Sequence, residues 1–320
     1  MLPNDFTGGP GYFTFDGLLF QLMDDSWETN TEIVNIEKKT NIQGTIGHWE
    51  EYVKTTVTGK PIALYSLLAT QFAKLFPYRP SNMGQRLRSN TDKPLVIQTT
   101  DGRSITFTTA ALTKMPSLQF SPNKDLFGSV EFTCLRKQGD GGTGTDAHVV
   151  EASSAYTEPL LDPDDIVNCK FSLALGSSSP LNVIECDEEG VTVEPQVQLG
   201  ELPSWNEGLL NWQINGVTCG AKFTPQNQSQ ATLLNTLVKT DGTGVGRGTR
   251  LGARGLPLTV TTSFVGGPVL TIPLACANKG RLRFGSASRI GEVELYAERT
   301  LNDDGDAWLD LFTLDVVPEA

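Results

Sequence analysis

At 320 residues, with 38% hydrophobic residues, 32 Gly and 18 Pro, the chain has the balance of short strands joined by turns rather than of long helices, and enough length for two ordinary cores. No apolar run approaches the roughly 20 residues that span a bilayer, and the start, Met1 to Phe6, has no basic region followed by an apolar stretch; a soluble protein made in a cytoplasm is expected, with no membrane partner. The net charge of −12 is split as −1 over residues 1–150 (14 Lys+Arg, 15 Asp+Glu) and −11 over residues 151–320 (11 and 22), so neither half is a basic nucleic-acid-binding module.

Along the chain, the first strong pattern is helical. Pro61 to Phe76 sets Leu64, Leu67, Leu68, Phe72 and Leu75 on one stripe, opens with Pro at an early position and stops before Pro77, which predicts a helix packed on a sheet. Strands follow. From Pro94 to Leu112, two β-rich runs flank Asp101-Gly102, the signature of a tight hairpin. Leu118 and Phe120 then share one face, and Val130, Phe132 and Cys134 alternate with Ser129, Glu131 and Thr133, so one face of that strand is buried and the other wet. A Gly-rich polar linker, Gln138 to Asp146, separates two halves and places a domain boundary near residue 150.

The second half repeats the first. Trp49 and Trp212 lie 163 positions apart, and the same shift carries Pro94 onto Pro257, Leu95 onto Leu258, Thr99 onto Thr262, Gly128 onto Gly291, Val130 onto Val293 and Glu131 onto Glu294. A period of half the chain is too long for a solenoid and is the size of one domain, so residues 1–150 and 151–320 are expected to be duplicated domains. The second copy runs as strands from Pro257, a Gly266-Gly267 turn, Val269 to Ile272, Leu282 to Phe284 and Gly291 to Tyr296, with a weaker helix between Pro225 and Val238.

Chemistry-bearing patterns are sparse. The five cysteines, Cys134, Cys169, Cys186, Cys219 and Cys276, show no C-x-x-C spacing and read as small reduced hydrophobes in strands, so neither disulfides nor a metal centre is expected. His48 and His148 are the only histidines, and both read as surface residues. Gly242 to Gly248 lacks the Gly-Lys-Ser/Thr ending of a phosphate-binding loop and reads as a loop, whose neighbours Arg247, Arg250 and Arg254 suit an acidic surface on another subunit. Asn302 to Asp306 fails the calcium-loop pattern, since Leu311 stands where a carboxylate is needed, and reads as a solvated turn; the acidic runs 162–165 and 187–189 read as solvated loops. No catalytic residues, metal ligands or cofactor-binding residues are predicted.

The run from Thr99 through Phe107, then Ala110 to Phe120, then Asp125 to Leu135 resembles the C-terminal half of a tailed-phage tail tube protein in its order of late strand, turn, "P-x-L-x-F", loop and "G-x-V-x-F". The second half repeats the order without the Pro, as Lys279 to Phe284. The resemblance implies a mainly β fold, with two tandem sandwich or barrel domains of the tube type, each with one flanking helix. It implies a siphophage-type virion structural protein without enzymatic activity, three two-domain chains forming a pseudo-hexameric ring, and rings stacked into a conduit for DNA ejection. The implied partners are further copies of the chain and the tape-measure, tail-terminator and distal-tail proteins, with DNA crossing the lumen unbound. Glu32 to Gly59 would be an arm reaching a neighbouring subunit, and Glu131 and Glu294 would lie on the wet lumenal wall or at a subunit interface. Two alternatives stand beside it: a distal-tail or baseplate hub ring, and a carbohydrate-binding or hydrolytic β-protein, the last requiring paired carboxylates that the sequence does not reveal.

Overall fold

The computed structural model describes residues 11–22, 27–62, 83–87, 93–122, 124–135, 148–160, 170–176, 182–204, 208–226, 255–262, 267–283, 289–302 and 304–316. In the first half, β1 (Gly11–Phe15) and β2 (Leu18–Gln21) form a tight hairpin about Asp16 and Gly17, both at positive φ. A long hairpin, β3 (Glu28–Thr40) and β4 (Gly44–Gly59), and a short one, β5 (Leu95–Thr99) and β6 (Arg103–Phe107), come next. Then follow β7 (Ala110–Lys114), β8 (Leu118–Phe120), β9 (Val130–Leu135) and β10 (Val149–Ser153). The second half holds β11 (Phe171–Leu175), β12 (Asn182–Ile184), the long hairpin β13 (Cys186–Ser204) and β14 (Gly208–Pro225), β15 (Leu256–Thr262), β16 (Pro268–Arg283), β17 (Arg289–Ala297) and β18 (Thr313–Val316).

The fold is mainly β, and among the described residues there is no helix. The predicted hairpin at Asp101-Gly102 is present: Gly102 has φ 80°, and its N–H donates to the Thr99 carbonyl at 3.1 Å. The strands expected near 118–120, 130–134, 257–262, 269–272 and 291–296 are β8, β9, β15, β16 and β17. The two expected helices, apart from their first residues, and the Gly-rich linker lie outside the described residues, as does the Gly266 end of the expected Gly266-Gly267 turn. Residue 150 falls inside β10, which pairs with β6 from Val149↔Phe107 to Ser153↔Arg103, so the first half's sheet runs past that point.

Strand pairing follows one scheme in both halves. The first half has the sheets β2-β1-β5-β6-β10 and β3-β4-β9-β7; the second has β12-β11-β15-β16-β18 and β13-β14-β17-β16. There β16 is long enough to serve both rows, which makes them one sheet. The irregularities agree too. Between β3 and β4 the ladder passes over Glu51 and Ile46; between β13 and β14 it passes over Asn215 and Leu210, each 164 positions further on. The β7–β9 ladder passes over Thr113 and the β16–β17 ladder over Asn278. A bulge inserts one unpaired residue and bends its strand, so shared bulges mean shared local twist.

The core forms where the rows face each other. Phe132 of β9 is fully buried against Phe13, Phe15 and Phe20, with ring centroids at 5.4, 4.9 and 6.0 Å. Val130 and Cys134 are buried beside it as the alternation requires. Thr133 departs from the expected wet face: it is buried, with its hydroxyl 2.9 Å from that of Thr113. The same apolar cluster continues through Leu118, Phe120 and Phe127 to Val191, Val193, Ala221, Val293 and Leu295, so one core serves both halves. The described cysteines, Cys134, Cys186, Cys219 and Cys276, all lie in strands and all but Cys186 are buried.

Two outcomes are expected. Phe132→Ala removes the ring on which three others converge, and urea unfolding should report a loss of about 3–5 kcal/mol. Burial pushes the Cys134 thiol far up, that of Cys219 up to about 12, and that of Cys186, helped by the Asp187 carboxylate, also up to about 12. Each raised pKa favours the folded state fully below the unfolded thiol pKa of about 8.5 and loses that contribution as pH climbs towards 12. Thermal melts should therefore weaken between pH 9 and about 12, and Cys219→Ala should flatten part of that slope.

Candidate assembly surface

The β3–β4 and β13–β14 hairpins have equivalent ladders but opposite surroundings. β3 is β-branched and polar by turns, and its turn to β4 is set by Gly44 at φ 69° and by the Gln43 N–H donating to Thr40 Oγ1 at 3.1 Å. Nearly the whole of β3 and the first half of β4 are exposed. That surface carries Ile33, Ile36, Ile42, Ile46 and Trp49, of which Trp49 is 47% exposed. Lys38 lies over the Trp49 ring at 4.8 Å, Lys39 pairs with Glu37 at 2.6 Å, and His48 is 3.1 Å from Asn35 Oδ1. Isolated two-stranded ribbons are marginal in water, and clustered exposed isoleucine and tryptophan mark a contact surface.

One face of the β13–β14 hairpin is covered. Trp212 is 4% exposed, packed with Ala111 and Leu135 against Tyr52 and Leu87, and Ile214 is buried as well. A short segment of the first half runs beside this hairpin: Gly84 N–H donates to the Ile214 carbonyl at 2.8 Å, Ile214 N–H to the Gln85 carbonyl at 3.0 Å, and Leu87 N–H to the Trp212 carbonyl at 2.7 Å. The expected equivalence of Trp49 and Trp212 needs correction. Matched on their bulges, the ladders set Trp49 (opposite Ile36) level with Gln213 (opposite Gly200), while Trp212 lies opposite Glu201. A one-residue offset turns a strand side chain to the other face, so one tryptophan points outward and the other into the contact between halves.

The halves also join by strand pairing. β8 runs antiparallel to the edge of β13 through Phe120↔Val191, Gln119↔Thr192 and Leu118↔Val193. Gly190 permits this: its φ is 71°, and a Cβ there would collide with the Phe120 carbonyl oxygen. The Ser121 hydroxyl donates to the Glu188 carbonyl at 2.8 Å and Lys124 pairs with Glu189, so the acidic run 187–189, read from sequence as a loop, begins β13 and holds this joint. Between β7 and β8 lie Met115, Pro116 and Ser117; at the same level β16 continues as one strand through Gly280 and Arg281, with a register shift in its ladder to β17. Proline has no N–H for a ladder, which accounts for the break.

Of the other residues singled out in the sequence, Gly128 and Gly291 each stand two positions before a buried valine, Val130 and Val293, and the Gly128 N–H donates to the Ser117 carbonyl at 2.8 Å. Glu131 is half-buried, level with Thr58 and Lys114, and accepts a hydrogen bond from Thr113 at 3.1 Å. Glu294 holds the matching place, level with Lys222 and Lys279. Lys222 also contacts Glu194 at 3.1 Å; that hydrogen bond, with the nearby Glu194, Glu294 and Glu292 charges, raises its pKa. The structure does not bring Glu131 and Glu294 together. Arg247, Arg250 and Arg254 lie outside the described residues. His148 is not a plain surface residue: its Nε2 is 2.7 Å from Thr55 Oγ1 and its ring meets Phe107 edge-on at 5.9 Å. Asn302 to Asp306 is a turn in which Asn302 Oδ1 accepts from the Asp306 and Ala307 N–H groups. Among the described residues, no three His, Cys, Asp or Glu side chains converge as a metal site would need.

No protein-family model matches the chain, and no curated protein sequence matches it. The burial difference between the tryptophans yields its own expectation. Trp212→Ala should lower the unfolding free energy by about 3–5 kcal/mol, while Trp49→Ala should leave the monomer within about 0.5 kcal/mol of wild type in the same urea titration.

Proposed function

We propose that the chain is a virion structural protein, the major tail tube subunit of a siphophage-type particle, built from two copies of one β-domain so that three chains form a ring of six units. The observation that carries the reading is the unequal fate of the two long hairpins: β13–β14 is seated on the first half of its own chain, while β3–β4 stands bare with its isoleucines and tryptophan exposed. A second chain arriving head to tail would offer β3–β4 the kind of seat that β13–β14 already has. Such a contact is heterologous, and repeated with a closing rotation it gives a ring.

The common pairing order and the bulges at 164-residue intervals support a duplication. The resemblance of residues 99–135 to tail tube proteins supports the identity of the assembly. In this reading Glu131 and Glu294 lie on a wet wall whose carboxylates repel passing phosphates, with Lys114, Lys222 and Lys279 opposite them reducing that repulsion. Arg247, Arg250 and Arg254 would meet an acidic neighbour, tape-measure, terminator and distal-tail proteins would meet the ends of the stack, and no cofactor takes part.

Negative-stain microscopy of the purified chain should show rings or stacked tubes, and Ile36→Ser with Trp49→Ser should leave folded monomers in sedimentation velocity. Single rings that never stack would favour the distal-tail hub instead. A chain that stays monomeric at every concentration and salt would overturn the ring.

A further inference from the structure

Among the described residues, the joint between the halves has a counterpart whose two sides are not paired with each other. β8 is bound on one side by residues of its own half, Leu118 bridging Phe127 and the Gln119 N–H donating to the Leu126 carbonyl at 2.7 Å. On its other side it completes the edge of β13. In the second half the far end of β16 holds the same station, with Leu282 opposite Ile290 and Arg283 opposite Arg289 on β17. Beyond Ala275 no other described strand borders it. The counterpart of β13 is β3, which among the described residues pairs with β4 alone and is the edge of its sheet. The 164-residue interval carries Thr192 back to Glu28 and Val193 back to Thr29.

Resting on the ring reading, we propose that the edge of β3 in one chain takes the far end of β16 from a second copy as an added antiparallel strand, with Thr29 opposite Leu282 and Glu28 opposite Arg283. The pairing satisfies backbone groups that an exposed edge strand otherwise presents to solvent or to a wrong partner. The residue types at the matched stations fit. Within the chain the central pair of the joint is Gln119 and Thr192, both neutral; between chains it is Glu28 and Arg283, of opposite charge, and Glu28 is exposed. The same joint thus exists in a neutral version that is permanent and a charged version that forms on assembly, and the charged one weakens with salt.

Two experiments on the full chain test this. Glu28→Arg and Arg283→Glu should each abolish rings in sedimentation velocity at low salt while leaving a folded monomer by circular dichroism, and the double exchange Glu28→Arg with Arg283→Glu should restore them. Thr29→Cys with Leu282→Cys should give, on mild oxidation, covalent species that end at a closed trimer, because facing residues of a ladder lie within disulfide reach. Rings that form normally with Glu28→Arg, or a paired-cysteine chain that forms rings yet never cross-links, would overturn the register and leave the ring standing. A wild-type chain that never leaves the monomer would overturn both.

Discussion

A β-strand cannot stop being a hydrogen-bonding surface at the edge of its sheet, and the rest of this architecture follows from how its edges are closed. Within the chain, β8 closes the edge of β13, and Gly190 is the residue that lets the two backbones meet. The row β3-β4-β9-β7 is a sheet apart from the row β13-β14-β17-β16 that β8 joins, but β8 follows β7 directly in sequence and one apolar cluster underlies both. Among the described residues, the edge of β3 and the far end of β16 carry no such added strand.

Charge and packing divide the work along that row. Trp212 and Ile214 seat a hairpin on its own chain by removing apolar surface from water, a contribution that salt does not weaken. The ionic contacts around Lys222 and Glu194 are more than a third exposed and contribute between nothing and about 1 kcal/mol. The permanent contact is therefore apolar and hydrogen-bonded. The larger acidic excess of the second half acts over longer range, on solubility and on what approaches the surface.

Much of this was legible in the chain because β-structure writes its burial with a period of two. Val130, Phe132 and Cys134 announced a buried face, and Asp101-Gly102 a turn, since both signals are local. The Trp49–Trp212 echo misled by one position. A 163-residue match between large residues says nothing about bulges, and within the long hairpins the ladders run at 164. Pairing decides which face a side chain takes, and pairing with a distant strand leaves no local trace. The acidic run 187–189 looked like a loop for the same reason: the strand it starts is held by Ser121 and Lys124, residues of the other half. His148 looked exposed because its partners, Thr55 and Phe107, are far away in sequence.

Pro116 has an effect on geometry as well as on pairing. The first half interrupts its edge strand at Met115, Pro116 and Ser117, whereas the second half carries β16 through the same level as one strand with a register shift between Gly280 and Leu282. In the proposed ring, successive units would then meet through two alternating joints, one interrupted by Pro116 and one continuous, however alike their folds. The proposed ring would then present a threefold rather than a sixfold outline to whatever lies above it, and a next layer would find three equivalent azimuths rather than six.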